Sequence, residues 1–438
     1  MTKIMIFISI VSSLVNALSI DEAVRQTIET NPQIEVKKEE LRTEQEVLVG
    51  SRSAYLPKVD ISYSAGPERT HTVANKRSDT ANGSDLGGKE DNLYQNASLR
   101  VTQNIFEGLR TMYTVEQQKT VILSADIGVK NSANSIALET VTTYIDILRN
   151  KEFYDIAKDN MEVHKKYLAQ IKETIDAGIG RSSGYKQTLS RYENAQSSYF
   201  LAQQTYKNSI ATFQRILPVS ANAEELIKPT IGILPADNLE DLISIGVENN
   251  PSIQISKADI KYAESSLNRS YAAYYPRLDL EANAYWNKGL TGLRGTPTDA
   301  DGANVLLVLS YNIFNGLADK SLQEANEHKL LRQNSSLSDA KRYIKAYTTV
   351  AWQTYNITKT RLVHINNNIK ASADTIANYK EEYNLGRRSL VDLLNIELEY
   401  NNARNRKVAA EYDRLLAYYQ ILTHTGKILE TMNVTIEN

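Results

Sequence analysis

Tyr383, Arg388 and Asp392 stand within ten residues of one another in Tyr383-Asn384-Leu385-Gly386-Arg387-Arg388-Ser389-Leu390-Val391-Asp392. A phenol, a guanidinium and a carboxylate at that spacing can do two kinds of chemistry. One is local: an Arg near a helix C-terminus and Ser389 as an N-cap, each contributing about 0.3–1 kcal/mol. The other needs copies. Repeated around a symmetric ring, such groups converge on an axis, where hydrogen bonds and ion pairs close a pore or a charged ring selects what passes. The residues alone leave both readings open.

Other reactive constellations are scarce. The histidines, at 71, 164, 328, 364 and 424, show no i, i+3 or i, i+4 pairing, so no metal site is expected. Gly178-Ile179-Gly180-Arg181-Ser182-Ser183-Gly184 has the glycines of a phosphate loop, but it follows an amphipathic helix and lacks the Gly-Lys-Ser/Thr ending. It reads as a turn. Cysteine is absent, which excludes thiol catalysis, disulfides, thiolate metal sites and lipidation on an N-terminal Cys. Carboxylates are spread over helical faces as solvated surface. No nucleophile–base arrangement stands out, so neither an enzyme nor a cofactor is expected.

The elements around the first constellation are long. No Pro or Gly occurs from Ala318 to Leu385, and none from Arg387 to Thr425. A Gly-centred turn between two uninterrupted helical patterns is the tip of a helical hairpin. Gly178 marks a second tip, so Gly178, Gly180, Arg181, Gly386, Arg387 and Ser389 are the candidate tip residues.

The two hairpins belong to a duplication. Asn31-Pro32 recurs as Asn250-Pro251 and Tyr55-Leu56-Pro57 as Tyr274-Tyr275-Pro276, both offset by 219. Ile105-Phe106-Glu107-Gly108-Leu109 recurs as Ile313-Phe314-Asn315-Gly316-Leu317, offset by 208, and that offset holds through Gly178/Gly386, Tyr192/Tyr400 and Ala195/Ala403. The second copy is therefore shorter between Pro57 and Ile105, where a variable loop belongs. Pro218, Pro229 and Pro235 mark a linker at about 217–238, which separates repeat 1 (18–216) from repeat 2 (239–438).

Within each copy the hydrophobic period changes twice. Helix is expected from about Ile20 to Ala54 and from Leu239 to Ala273, with the Asn-Pro break near the start. Pro57 and Pro276 end these helices. Alternation of period two follows, through Val59, Ile61, Tyr63 and Ala65, and through Leu278, Leu280, Ala282, Ala284 and Trp286. Return strands are expected at Leu93–Phe106 and Ala303–Phe314, around loops at Gly66–Asn92 and Lys288–Gly302. This gives β-hairpins at about 58–106 and 277–314. Such strands fit a half-buried soluble sheet or a membrane barrel with one apolar face. Four strands cannot close a transmembrane barrel, so a barrel reading demands several chains. Heptads then return: Ile147, Tyr154, Met161, Leu168 and Ile175 are seven apart, as are Tyr355, Leu362, Ile369, Ile376 and Tyr383. On the returning limbs Tyr192, Tyr199, Tyr206 and Phe213 keep the period, as do Leu394, Val408, Leu415 and Leu422, with Asn401 interrupting. At 1.5 Å per residue the limb from Leu317 to Tyr383 reaches about 100 Å.

The chain has 438 residues, a formal net charge of −2 and a pI near 6.3, so no basic face is implied and nucleic acid is not an expected partner. Lys3, an apolar run from Ile4 to Val15 and then Val15-Asn16-Ala17 have the order of a signal peptide over 1–17, too short an apolar run to span a bilayer.

Taken together, the Asn-Pro opening, the Tyr-Leu-Pro before the first strand, the Ile-Phe-x-Gly-Leu after the second and Tyr-Asn-Leu-Gly-Arg-Arg-Ser-Leu-Val-Asp-Leu-Leu resemble the TolC family of outer-membrane channel proteins over nearly the whole mature chain. The resemblance implies a mixed α and β membrane protein, a homotrimer. Each protomer gives four strands to a shared 12-stranded transmembrane β-barrel in outer-membrane lipid, and a long antiparallel coiled-coil α-helical barrel extends into the periplasm. It implies an exit duct for type I protein secretion or multidrug efflux. The duct's implied partners are a periplasmic adaptor (membrane fusion protein) and an inner-membrane ABC or RND transporter. Tyr383, Arg388 and Asp392 match the family's constriction residues, with Ser183 and Gly184 at the positions of their partners on the first hairpin. The family's acid is missing at Gly184, and a second acid found in some members is Asn395 here. A periplasmic coiled-coil adaptor or scaffold without a pore is the alternative from another class.

Overall fold

The computed structural model of the chain describes residues 18–71, 89–178, 182–219, 223–291 and 297–436. The expected signal peptide and the tip residues Gly180 and Arg181 lie outside the described residues. Repeat 1 runs α1 (Ile20–Thr30), α2 (Pro32–Arg52), β1 (Lys58–His71), β2 (Lys89–Phe106), α3 (Arg110–Asp176) and α4 (Ser182–Ile216). Repeat 2 runs α5 (Leu239–Asn249), α6 (Pro251–Ser270), β3 (Arg277–Thr291), β4 (Pro297–Ser310), α7 (Ala318–Asn384) and α8 (Leu390–His424), followed by the short α9 (Ile428–Thr431). The chain forms two compact units. One comprises residues 40–125 and 256–336 and holds the sheet; the other comprises the chain up to 39, 126–255 and 337–438 and holds both hairpin tips.

The Asn-Pro signature is a shared helix cap. The Asn31 N–H donates to the Thr27 carbonyl at 2.8 Å and ends α1, while Asn31 Oδ1 accepts from the Gln33 N–H at 2.9 Å and starts α2. Asn250 does the same between α5 and α6, donating to Gly246 at 3.0 Å and accepting from Ser252 at 2.9 Å. Proline follows at the first helical position, where its missing N–H leaves nothing unbonded. The helix expected from about 20 to 54 is therefore two helices hinged on one residue.

The four strands form one antiparallel sheet in the order β1-β2-β3-β4, with β1 and β4 at its edges. They run further into the expected loops than glycine and proline signalled: β1 continues through Gly66 and Pro67, paired with Tyr94 and Leu93, to His71. Pro67 lacks a donor, but an edge strand tolerates that loss. At the other end β4 stops at Ser310 where strand was expected to Phe314. The equivalent residues of β2, Gln103 to Phe106, are held in the ladder by β3 rather than by β1, and β4 has no strand on that side. Paired rows give the sheet two unlike faces. Val59, Val101, Ala282 and Val305 share one face with Ile61, Leu99, Ala284 and Ala303; Asp60, Arg100 and Asn283 lie on the other.

The heptad positions hold the helices together. All ten expected seam residues of α3 and α7 are buried or half-buried, as are Tyr192, Tyr199, Tyr206 and Phe213 on α4. On α8 the seam is fully buried at Leu394, Val408, Leu415 and Leu422. Asn401 keeps the period as a satisfied polar residue, donating to Asn160 Oδ1 at 2.9 Å and to the Glu397 carbonyl at 2.9 Å. Residues 217–238 are more than a tether. Leu18 bridges Leu226 in parallel, and the buried Tyr144 hydroxyl donates to the carbonyls of Leu18 and Ile227, at 2.7 and 2.8 Å.

Gly108, after β2, has φ +66°, and a Cβ there would meet the Ala272 carbonyl oxygen and Tyr275 Cβ, each at 2.8 Å. Gly108→Ala should therefore lower thermal stability by about 1–3 kcal/mol, combining a left-handed backbone with a clash. A melting temperature equal to that of the wild type would show that the turn yields freely.

Candidate constriction at the hairpin tips

The second tip is built by one turn motif. The Gly386 N–H donates to the Tyr383 carbonyl at 2.9 Å and the Arg387 N–H to the Glu382 carbonyl at 2.8 Å, with Gly386 at φ +71°. This pair of bonds satisfies the last carbonyls of α7 and requires a left-handed residue, which glycine supplies without strain. Two residues later Ser389 caps α8: its Oγ accepts from the Asp392 N–H at 3.2 Å and donates to Asp392 Oδ2 at 2.8 Å. The first tip closes on Gly178 in the same way, φ +76°, with its N–H on the Ile175 carbonyl at 2.8 Å.

The tight turn folds Arg388 back over the end of α7. Its Nε donates to Glu382 Oε2 at 2.8 Å, a second guanidinium nitrogen lies 4.0 Å from Asp392 Oδ2, and the guanidinium sits 4.1 Å from the centre of the Tyr379 ring. A planar cation gripped by one carboxylate, neighboured by another and stacked on an aromatic face is held in position rather than free in solvent. The Glu382 hydrogen bond raises the guanidinium's already high pKa. Tyr383 does not join this cage. It packs, half-buried, against the cluster of Tyr167, Leu393 and Leu394.

Below the tip the two hairpins are linked by polar pairs. The Arg191 guanidinium of α4 donates to Asn395 Oδ1 at 2.9 Å. Glu397 is buried, accepts from the Tyr167 hydroxyl at 3.2 Å and pairs with Lys380 at 3.3 Å. Arg404 reaches Asp159 at 3.0 Å. His164 is buried beside Arg191 and Glu397, and its Nδ1 has no hydrogen-bond partner.

The sequence-derived residues thus separate into groups. Arg388, Asp392 and Ser389 come together on one tip, and Tyr383 lies on the hydrophobic side of the same turn. Ser183, in the first turn of α4, is exposed, and Gly184 faces open space: no atom lies within 4 Å of a Cβ added there. Arg387 is exposed at the apex. Sequence reasoning missed Glu382, Tyr379 and Arg191. The first two had a signal: a left-handed turn after α7 brings the residue six before Arg388, and the one a turn earlier, under its side chain. Arg191 had none, because its partner lies on another hairpin.

Among the described residues no helix is long and apolar enough to cross a membrane, and no group of three His, Cys, Asp or Glu could hold a metal. The four-stranded sheet with long helical hairpins is the fold of outer-membrane channel proteins. A membrane protein of Pseudomonas aeruginosa matches it with a TM-score of 0.78 at 12% identity, covering 93% of each chain. The Campylobacter jejuni CmeC outer membrane channel matches with a TM-score of 0.75 at 16% identity, covering 93% of this chain and 86% of that one. Residues 242–427 match the family model described as outer membrane efflux protein. The outer membrane efflux protein BepC of Brucella suis is 18% identical over 389 residues, 89% of this chain and 81% of that protein. The outer membrane protein TolC of Escherichia coli is 19% identical over 444 residues, 98% of this chain and 86% of that protein. The family model, the relatives and the solved structures all point to the TolC-like family of outer membrane efflux proteins.

Burial, with the Arg191 cation adding to it and Glu397 opposing it, holds the His164 pKa below its ordinary value. A histidine kept neutral in the fold stabilises fully above the unfolded pKa, about 6.5, and loses that contribution as pH falls below it, because the unfolded chain then binds the extra proton. Thermal stability should therefore drop between pH 7 and pH 5, and drop less in His164→Gln. Parallel pH profiles for the two proteins would remove His164 from this balance.

Proposed function

We propose that the chain is the outer-membrane component of a tripartite export system, a homotrimeric duct. Three protomers share a 12-stranded barrel, and the hairpin tips dock a periplasmic adaptor that connects to an inner-membrane ABC or RND transporter. The coarser statement needs no proposal: members of this family are outer-membrane exit ducts for efflux or secretion rather than enzymes, and this chain is one of them.

The observation that carries the finer reading is the sheet. It has one apolar face, strongly exposed at Val59, Ile61, Leu307 and Leu309, one polar face, and two open edges. Strands of 14 to 18 residues exceed the 9–11 that span a bilayer. A periplasmic scaffold has no use for such a surface. Lipid against the apolar face and water against the polar one account for both, and each edge then requires another chain.

At the tips Tyr383, Arg388 and Asp392, with Ser183 on the neighbouring hairpin, form the constriction in this reading. Gly178, Gly180, Arg181, Gly386, Arg387 and Ser389 present the adaptor-docking surface. Repeats 18–216 and 239–438 each give one helical hairpin and one β-hairpin. The caged Arg388 is the fixed point, with Glu382 setting its direction.

In planar bilayers the purified protein should give single-channel currents, and Arg388→Ser should raise the conductance by releasing the tip. Glu382→Gln should do so to a lesser degree, since it frees the guanidinium without deleting it. Unchanged conductance in Arg388→Ser would leave the arginine as a helix-end residue only. Absence of any current would count against the duct itself.

A further inference from the structure

We propose that His164 is a proton-operated latch between the two helical hairpins. Neutral, it lets them pack together below the tips; protonated, it parts them and loosens the constriction. The inference rests on the duct of the proposed function and adds a control on its opening.

The latch sits in a ladder of contacts between α3 and α8. Arg404 donates to Asp159 at 3.0 Å, Asn401 to Asn160 at 2.9 Å, and the Tyr167 hydroxyl to Glu397 at 3.2 Å. Asn160 lies four residues before His164 and Tyr167 three after it, so one face of α3 carries all three toward the second hairpin. The rungs on either side are polar and satisfied. The middle one is not: His164 is 5% exposed, and its Nδ1 has no hydrogen-bond partner. The other buried unbonded side-chain atoms among the described residues belong to Glu68, Thr348 and Arg414, residue types that do not ordinarily titrate near neutral pH.

All four long helices bring a titratable group to this cluster. From α4 comes the Arg191 guanidinium, and from α8 the Glu397 carboxylate, whose residue is 4% exposed. From α7 comes Lys380, 3.3 Å from that carboxylate, and α3 itself gives Tyr167. An imidazolium formed here stands beside the Arg191 cation and finds Glu397 already held by Tyr167 and Lys380. Separation of the hairpins, which admits water, relieves it. Arg191 also ties α4 to the second hairpin through Asn395 at 2.9 Å, so repulsion between His164 and Arg191 acts directly on a bond that joins the two hairpins.

Linkage sets the direction of the effect. While the hairpins are packed, burial and Arg191 hold the imidazole below its ordinary pKa; parting them returns it to about 6.5. The parted state therefore binds the proton more tightly, and acid shifts the population toward it. The packing contribution of the neutral ring is fully present above about pH 7 and is lost as pH falls below about 6.5. At about pH 5.5 the shift reaches up to about tenfold per protomer. The interval between about pH 7.5 and 5.5 lies above the usual carboxylate range, so it isolates a histidine response. Of the other histidines on the long helices, His328 and His364 are exposed, and the half-buried His424 lies at the far end of α8.

Single-channel recording of the full-length protein in planar bilayers, at about pH 7.5 and 5.5 in the same salt, tests the latch. The ratio of open to closed time should rise severalfold in acid for the wild type and stay level in His164→Gln, which fills the site without titrating. His164→Arg places a permanent cation there and should open the duct at the higher pH, with no further gain in acid. His424→Gln should keep the wild-type response. A wild type equally open at both pH values would overturn the latch, as would a full acid response in His164→Gln. If the wild type passes no current at either pH, the duct itself fails, and amide hydrogen exchange then decides the latch alone. In that measurement α3 and α4 below the first tip should lose protection in acid beyond the change in intrinsic exchange rate, and unchanged protection would overturn the proposal.

Discussion

A backbone amide in hydrocarbon has no water to bond, and this one constraint governs the design of the chain. A helix satisfies its amides within itself, but a sheet satisfies them only up to its edges. Here the sheet ends at β1 on one side and β4 on the other, with an apolar face exposed between them. The structure of one protomer is therefore incomplete in a directed way. The shortfall is two strand edges, and a duplicated chain has already solved the same problem internally at the β2–β3 junction.

The helical part answers a different demand. Hairpins this long are not hydrophobic all round: near the tips burial is sparse, while α8 is buried on most sides from Ala410 to Thr423. Polar pairs also join the hairpins: Tyr167 on Glu397, Asn401 on Asn160, Arg404 on Asp159, Arg191 on Asn395, with Lys380 bracing Glu397 from within the second hairpin. Exposed pairs contribute little each, typically under about 1 kcal/mol. Their value is directional, since each works in one register of one helix against the next. Glu397 differs from the exposed pairs because it is buried with two partners, and losing either would leave a charge or hydroxyl without an answer. The caged Arg388 continues the same logic at the tip.

Much of this was legible in the sequence. Duplication, the two hairpin tips, the seam residues and the change of period from helix to strand and back are all properties of spacing, which survives without knowledge of contacts. The strand ends were not legible. Gly66 and Pro67 signal a loop by type, yet an edge strand lets both remain in the ladder. Phe314 signals strand by pattern, yet no strand lies beside it within one chain. At the tip, Arg388 and Asp392 were visible as neighbours, but the dominant partner, Glu382, lay outside the motif and depended on turn geometry. Asn395 read as a lost acid and proves to be an acceptor for Arg191, a contact no local pattern could reveal.

The two returning limbs, α4 and α8, are of equal length and descend from the same ancestral segment, yet their surroundings differ. Five residues of α4 are buried within the protomer and fifteen of α8, so α8 carries about three times the packing constraint. A substitution on α4 meets solvent more often than it meets a neighbour. The two copies of this limb therefore stand under unequal packing constraint within the protomer. The family match over residues 242–427 falls on the repeat that contains α8. The matched repeat is thus the one whose returning limb is the more tightly packed within the protomer.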